Sequence, residues 1–404
     1  MKKIYTLVLA VLFTCTIQAQ EWESVSTVIE DFRTDHTFGF SIDGVGYLVA
    51  GSDFNGVFRP NFYSYAADTD TWTRKADFPG GARGFGIGYT YEGKAYFGFG
   101  ASGSGERMDD LWVYDPAEDT WTELASCECV ARTHPAMTIL NGVLYVTMGG
   151  GPNGNLNDHW AYDIATNTWS QKAAFPAAPR HHPFQFVVGD YVYAGFGHGA
   201  NFISNEWYRY DPSNDTWEQL GTLQAEGRVA GTQFSFEGKG YVLSGDGDDH
   251  NSMTTGEFWE YDPENDTWIQ LPAHPDWSRW APASFMIDGW VYLIGGWSAN
   301  VNGTGAGYPT TNWKYPLNPE SVSTSDVKVT DIQITPNPAQ EFITLPADIL
   351  NQSNISIYDN TGKLMLTQVI NTKSVDISDL NEGMYFLEIV DTDGNQYQSK
   401  FLKQ

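Results

Sequence analysis

An eleven-residue stretch, "YDPSNDTWEQL" at Tyr210–Leu220, returns along the chain in altered copies, and this recurrence restricts the fold more than any other feature. The copies are "YAADTDTWTRK", "YDPAEDTWTEL", "YDIATNTWSQK" and "YDPENDTWIQL". Their tryptophans, Trp72, Trp121, Trp169, Trp217 and Trp268, stand 49, 48, 48 and 51 residues apart. A fixed period of this length marks one supersecondary unit used repeatedly, each copy covering the apolar face of its neighbour.

Other columns keep step. A tyrosine-bearing strand carries Tyr47, Tyr96, Tyr145, Tyr193, Tyr241 and Tyr292 in register, each preceded by a two-residue turn such as Asp43-Gly44 or Asn141-Gly142. Such pairs suit the primed turns of tight hairpins, where positive φ is required. Each unit thus reads as four strands: an inner strand, a hairpin, a second strand ending in glycines, a longer polar loop, a third strand with an aromatic pair such as Trp112 and Tyr114, the quoted turn, and a fourth strand. Asp, Pro and Asn set the chain reversal in that turn. One such sheet cannot bury both faces alone, but sheets packed around an axis can, with Trp and Tyr filling the gaps between them.

Six tyrosine hairpins are present against five complete copies of the turn, because the last unit runs out at "TNWKYPLNPE". The missing fourth strand is found at the other end in "EWESVS", where Trp22 stands 50 residues before Trp72. Six blades are therefore expected, the N-terminal strand completing the sheet of residues 279–319 and leaving no free edge.

The glycines after the second strand ("MGGG", "IGGW"), the spaced aromatics and the Trp after a Tyr-Asp-Pro turn resemble kelch repeats over residues 20–319, although four units depart with "VAGS", "GFGA", "GFGH" and "LSGD". The resemblance implies an all-β, six-bladed kelch β-propeller. It also implies a binding scaffold more often than an enzyme, oxidases and sugar epimerases being the minority.

After Pro319 the text changes. A Ser/Thr-rich linker at 320–328 leads into alternating strands at 329–404. There Pro336-Asn337-Pro338, Tyr358-Asp359 with Gly362-Lys363, and Leu380 with Gly383 and Tyr385 resemble the type A sorting domain of the type IX secretion system. This implies a small immunoglobulin-like β-sandwich, the secretion machinery as a partner, and a secreted or outer-membrane cell-surface location. The opening "MKKIYTLVLAVLFTCTIQAQ" has two lysines, an apolar run and small residues, the layout of a secretory signal over 1–19. No later run is long enough to span a membrane. Cys127 and Cys129 are then the remaining thiols, and a local disulfide is the expected state in an oxidising compartment. The formal charge of -28 opposes nucleic-acid binding, which needs a positive footprint.

The residue before each inner strand is an arginine: Arg33, Arg83, Arg132, Arg180, Arg228 and Arg279, six of the ten in the chain. In a ring they are expected to encircle one mouth of the central channel, either pinning loop carbonyls or gripping an anionic ligand in bidentate fashion. Trp280 and Trp297 are added to that ligand site as aromatic platforms. His36, His134, His181 and His182 lie within three residues of the arginine column; packing is their ordinary use and a metal or acid–base role the alternative. "GDGDDH" at Gly245–His250 reads as a solvated acidic loop, since it lacks the full spacing of a helix-loop-helix calcium site. Glu206, Glu226 and Glu257 are the nearest candidates for a general acid or base. The expectation is a propeller that binds a glycan or protein, with no metal and no cofactor. A sugar mutarotase or epimerase and a structural adhesion protein are the alternatives.

Overall fold

The tyrosine-bearing hairpins form at all six positions. The computed structural model describes residues 21–26, 34–53, 55–301, 303–318, 330–346, 353–359, 363–370, 372–390 and 396–404. The expected leader (1–19), the linker (320–328) and Arg33 lie outside the described residues. Strands are the regular elements throughout, and no helix occurs among the described residues. The chain divides into two units, Met1–Pro319 and Glu320–Gln404.

The first unit holds six four-stranded antiparallel sheets. The first sheet contains Phe38–Ile42, Val45–Val49, Phe62–Ala66 and Thr71–Arg74 in that order. Inner strands of the next five are Ile87–Tyr91, Ala136–Leu140, Phe184–Val188, Thr232–Phe236 and Ala283–Ile287. Each inner strand packs against those of the sheets before and after it, and Ala283–Ile287 also packs against Phe38–Ile42. In the sixth sheet the outermost strand is Glu23–Val25, paired antiparallel with Asn312–Pro316. Asn141 and Gly142 at a hairpin tip have φ of 51° and 78°, the left-handed pair that a primed turn demands.

The recurring eleven residues form a clamp between sheets. The hydroxyls of Tyr65, Tyr114, Tyr162, Tyr210 and Tyr261 donate to Asp70, Asp119, Asn167, Asp215 and Asp266 at 2.7–2.8 Å. The same side chains reach the preceding sheet: Asn167, Asp215 and Asp266 accept the backbone amides of Ala125, Ala173 and Gly221. Asp70 of the first sheet accepts Ser26, which follows the outer strand of the sixth. Tryptophan indoles repeat the pattern, Trp169 donating to Ala125 O and Trp217 to Ala173 O. Each buried donor or acceptor satisfied this way avoids a penalty of about 1–3 kcal/mol, which accounts for the reuse of one turn.

A second set of bonds lies at the other end of the strands. The amides of Gly51, Gly100, Gly149, Gly197 and Gly245 donate to the carbonyls of Arg83, Arg132, Arg180, Arg228 and Arg279 in the following sheet, and Gly296 donates to Thr34, at 2.9–3.0 Å. These glycines have φ between 82° and 112°. A Cβ at Gly100 would stand 2.4 Å from the carbonyl oxygen of Gly84, so the column requires glycine for space as well as for conformation.

The second unit contains a five-stranded sheet and the two-stranded pair Phe342–Thr344 with Ser374–Asp376. Its core gathers Ile343, Ile355, Ile357, Val375, Leu387, Ile389 and Phe401, from strands that alternate buried and exposed positions.

Candidate functional site

The arginine column is buried. Arg83, Arg132, Arg180, Arg228 and Arg279 are all 0–1% exposed. Arg83 forms a bidentate pair with Asp110 at 2.7 Å through both terminal nitrogens, and Arg132 does the same with Asp158 at 2.6 and 2.8 Å. Arg180 bonds Glu206, Arg228 bonds Glu257 and Arg279 bonds Asp276. Further donors go to loop carbonyls: Arg132 to Val130 and Met148, Arg279 to Gly295 and Thr311. The indoles of Trp112, Trp160, Trp259 and Trp313 donate to these same carboxylates at 2.7–2.8 Å. Burial raises the Asp158 carboxyl, but the bonds and charge of Arg132 outweigh it and hold the group below its ordinary range.

The guanidinium groups therefore turn into their own sheets and not toward the axis. None of the five described arginines lines the central cavity. Of the three acid–base candidates in the sequence, Glu206 and Glu257 are engaged as arginine partners, and Glu226 accepts the amide of Asp248 from a neighbouring loop.

A cavity of about 380 Å³ takes its lining from all six sheets, from the inner strands of five and from His134 and Pro135 just before the inner strand of the third. Away from the histidines, Tyr89 of the second sheet and Ser235 of the fifth both line the cavity. The histidines occupy one end. His36, His134 and His182 all line the cavity and stand two or three residues after the arginine column. Their backbones are left-handed, with φ of 54°, 50° and 51°. Amide bonds link the column from sheet to sheet: His134 to Phe85, His182 to His134, Ala281 to Ala230 and His36 to Ala281, at 2.6–3.1 Å.

These imidazoles are in mutual contact. His36 Nε2 lies 3.1 Å from His182 Nε2, and the His134 and His182 rings are 3.5 Å apart. The Nδ1–H of His36 donates to Asp35 at 2.8 Å. Burial pushes Asp35 up, but His36, Ser52 and Tyr308 hold it below its usual value. Burial holds His134 and His182 well below the usual histidine value, reinforced by the neighbouring imidazoles.

The cluster widens outward through His181, His198 and His250, so six of the eight histidines in the chain converge here. Burial and its histidine neighbours lower His181 to about 4, while Asn155 contacts its Nδ1 at 3.0 Å. Trp280 is half-buried and borders His36, His182 and His250 at 4.7–5.9 Å between ring centres. Trp297 is its cross-strand partner through two backbone bonds. Of the two sequence-predicted aromatics, Trp280 thus stands against the mouth histidines.

The acidic loop departs from its expected solvation. Asp246 is buried and its carboxyl is raised to about 6 by that burial, with His250 at 3.7 Å lowering it in part; Asp248 and Asp249 are exposed. Cys127 and Cys129 form a disulfide with buried side chains. His198 and His250 escaped sequence reasoning for different reasons: His198 follows Gly197 in the glycine column, where the other sheets carry Ser52, Ala101, Gly150, Asp246 and Trp297, so no residue type recurs there, and His250 sits on the loop beyond Asp246. His36, His134 and His182 carried a signal, since all follow the arginine column at the repeat spacing.

Comparison with known proteins matches these two units separately. Residues 333–404 match the secretion system C-terminal sorting domain, which marks the chain as a type IX substrate directed to secretion and the cell surface. An endo-acting ulvan lyase from Formosa agariphila is 25% identical over 85 residues, covering 20% of this chain and 16% of that protein. The chain thus spans far less than two thirds of that relative. Among the described residues no helix is long and apolar enough to cross a membrane. Residues 46–304 match the Attractin/LZTR1 beta-propeller, and with well over half its length in that match, the chain belongs to this beta-propeller family.

Proposed function

We propose that the chain is an exported six-bladed kelch propeller, closed by its N-terminal strand, that binds a carbohydrate ligand at the histidine-lined mouth of its channel. The observation that carries this reading is a chain of six imidazoles at one end of a 380 Å³ cavity, with His36, His134 and His182 in its lining and Trp280 in ring contact with His36, His182 and His250. A neutral imidazole offers one donor and one acceptor, matching sugar hydroxyls, and an indole face suits the apolar face of a sugar ring. The bonds from Gly296 to Thr34 and from Ser26 to Asp70 support closure of the six sheets into a ring. The similarity to the ulvan lyase adds to the carbohydrate reading, over the fifth of the chain that it covers. Residues 1–19 serve as the export leader and 329–404 as the segment handed to the secretion machinery. Contact with ligand is assigned to Trp280, with Trp297 beside it; the arginines support the loops that carry them.

Retention of the full chain on a panel of immobilised glycans tests this. Wild type is expected to bind a defined subset and Trp280→Ala to lose at least tenfold in affinity for it. Equal binding by both proteins overturns the assignment, and retention on no glycan favours a structural adhesion role.

One observation favours a second reading as a sugar-isomerising enzyme. Asp246, with its carboxyl raised to about 6 beside His250, is poised for proton transfer near neutral pH. Acceleration of sugar anomer exchange by NMR, abolished in Asp246→Asn, would establish it.

A further inference from the structure

We propose that His36, His134 and His182 form a binding site for a divalent late transition-metal cation of the zinc type at the axial end of the cavity. The proposal goes beyond ligand binding by the mouth and stands without it. Three imidazoles from the first, third and fourth sheets bring one nitrogen each within 4.8 Å of one another. The 3.1 Å between Nε2 of His36 and Nε2 of His182 is close to the spacing of two ligands on one tetrahedral ion, roughly 3.3 Å for bonds of about 2.0–2.1 Å.

Apart from the Nε2–Nε2 hydrogen bond between His36 and His182 and the bond of His36 to Asp35, protein groups do not satisfy these rings. Both nitrogens of His134 and Nδ1 of His182 are buried with no hydrogen-bond partner among the described residues. A buried polar atom without a partner costs about 1–3 kcal/mol, so three in one cluster point to a bound species. His36 carries the outer-shell support typical of a ligating histidine. Its Nδ1–H is held by the Asp35 carboxylate, which leaves Nε2 as a lone-pair donor facing His182. Tyr308 and Ser52 fix that carboxylate in turn.

The left-handed backbone does not require histidine here. The equivalent positions in the other three sheets are Phe85, Ala230 and Ala281, with φ of 64°, 51° and 45°. The fold imposes the conformation, whereas the imidazoles are an addition to it. Three nitrogen ligands leave a coordination position for water or a ligand oxygen, as in zinc sites that keep one side open.

The test is metal uptake by the full chain after chelator treatment, read by calorimetry with Zn²⁺ and by visible absorption with Co²⁺, in the absence of any glycan. One equivalent is expected to bind, with the Co²⁺ bands of a nitrogen-ligated, low-coordinate ion. His182→Ala and His134→Ala should each weaken binding at least 100-fold, and Asp35→Asn by about 10- to 100-fold. His134→Ala removes no hydrogen bond to protein, so an unchanged circular dichroism spectrum will certify its fold. Absence of stoichiometric uptake, or unaltered uptake by folded His134→Ala, overturns the site. Glycan retention without metal uptake would leave the proposed ligand reading standing and remove this one.

Discussion

The indole Nε1 of Trp22 donates to the carbonyl oxygen of Pro272 at 2.8 Å, across 250 residues of sequence. The ring also packs against Phe258, His274 and Tyr315. Trp22 thereby does for the sixth sheet what Trp169 and Trp217 do for the third and fourth, joining an outer strand to the sheet before it.

Replacing Trp22 by Ala should lower unfolding free energy by roughly 2–3 kcal/mol, less than a fully buried Trp because the ring is half-buried. Urea denaturation followed by tryptophan fluorescence measures this. A change under about 0.5 kcal/mol would mean that the N-terminal strand adds nothing to the sixth sheet.

Arg132→Ala leaves Asp158 and the carbonyls of Val130 and Met148 without their donor, and should cost about 3–5 kcal/mol. Arg132→Met combined with Asp158→Leu should recover part of that loss, since the uncompensated carboxylate is gone while Trp160 still lacks its acceptor. Denaturation midpoints for the single and double variants give the comparison. Equal losses in both would deny the pair its role.

Two glycines with positive φ separate strain from crowding. Gly93 has φ 71° with open space around a hypothetical Cβ, so Gly93→Ala should cost about 1 kcal/mol. Gly100→Ala adds a contact of 2.4 Å with the Gly84 carbonyl and should cost roughly 3 kcal/mol or more. Chemical denaturation of the two variants checks the order, and a reversal would contradict the packing described at the ends of the second strands.

Acid should destabilise the propeller through His159, which is fully buried and pushed down to about 3 by that burial. Its folded value is depressed, so its contribution is complete above the ordinary value of 6.5 and is lost as pH falls toward 3. Within that window each such histidine adds a slope of about 1.4 kcal/mol per pH unit. Asp246 acts in the opposite sense near pH 6, because its folded value is raised. Stability measured from pH 7 to 4 should fall less steeply in His159→Phe than in wild type; identical slopes would remove His159 from the cause.

The repeat was legible because its tryptophan turn serves both its own sheet and the one before it, so Asp215 and Trp217 must recur together. The pairing of Glu23–Val25 with the last sheet followed from counting hairpins against turns. The arginine column was visible for the same periodic reason, but its direction was not. Spacing locates a Cα, whereas the carboxylates that draw Arg83 and Arg132 into their own sheets stand just before the third strand (Asp110) or within it (Asp158), at positions that vary between Asp and Glu. The histidine mouth was legible in part: His36, His134 and His182 follow the column, while His198 holds a repeat position whose residue type varies from sheet to sheet and His250 reaches it from the loop beyond Asp246.

The most direct test of the proposed mouth site is the affinity of Trp280→Ala and Arg132→Ala, side by side, for a glycan that wild type retains. The mouth assignment predicts at least a tenfold loss in Trp280→Ala and unchanged affinity for whatever fraction of Arg132→Ala remains folded. Full affinity in Trp280→Ala together with a loss in folded Arg132→Ala would contradict it and return the site to the arginine column.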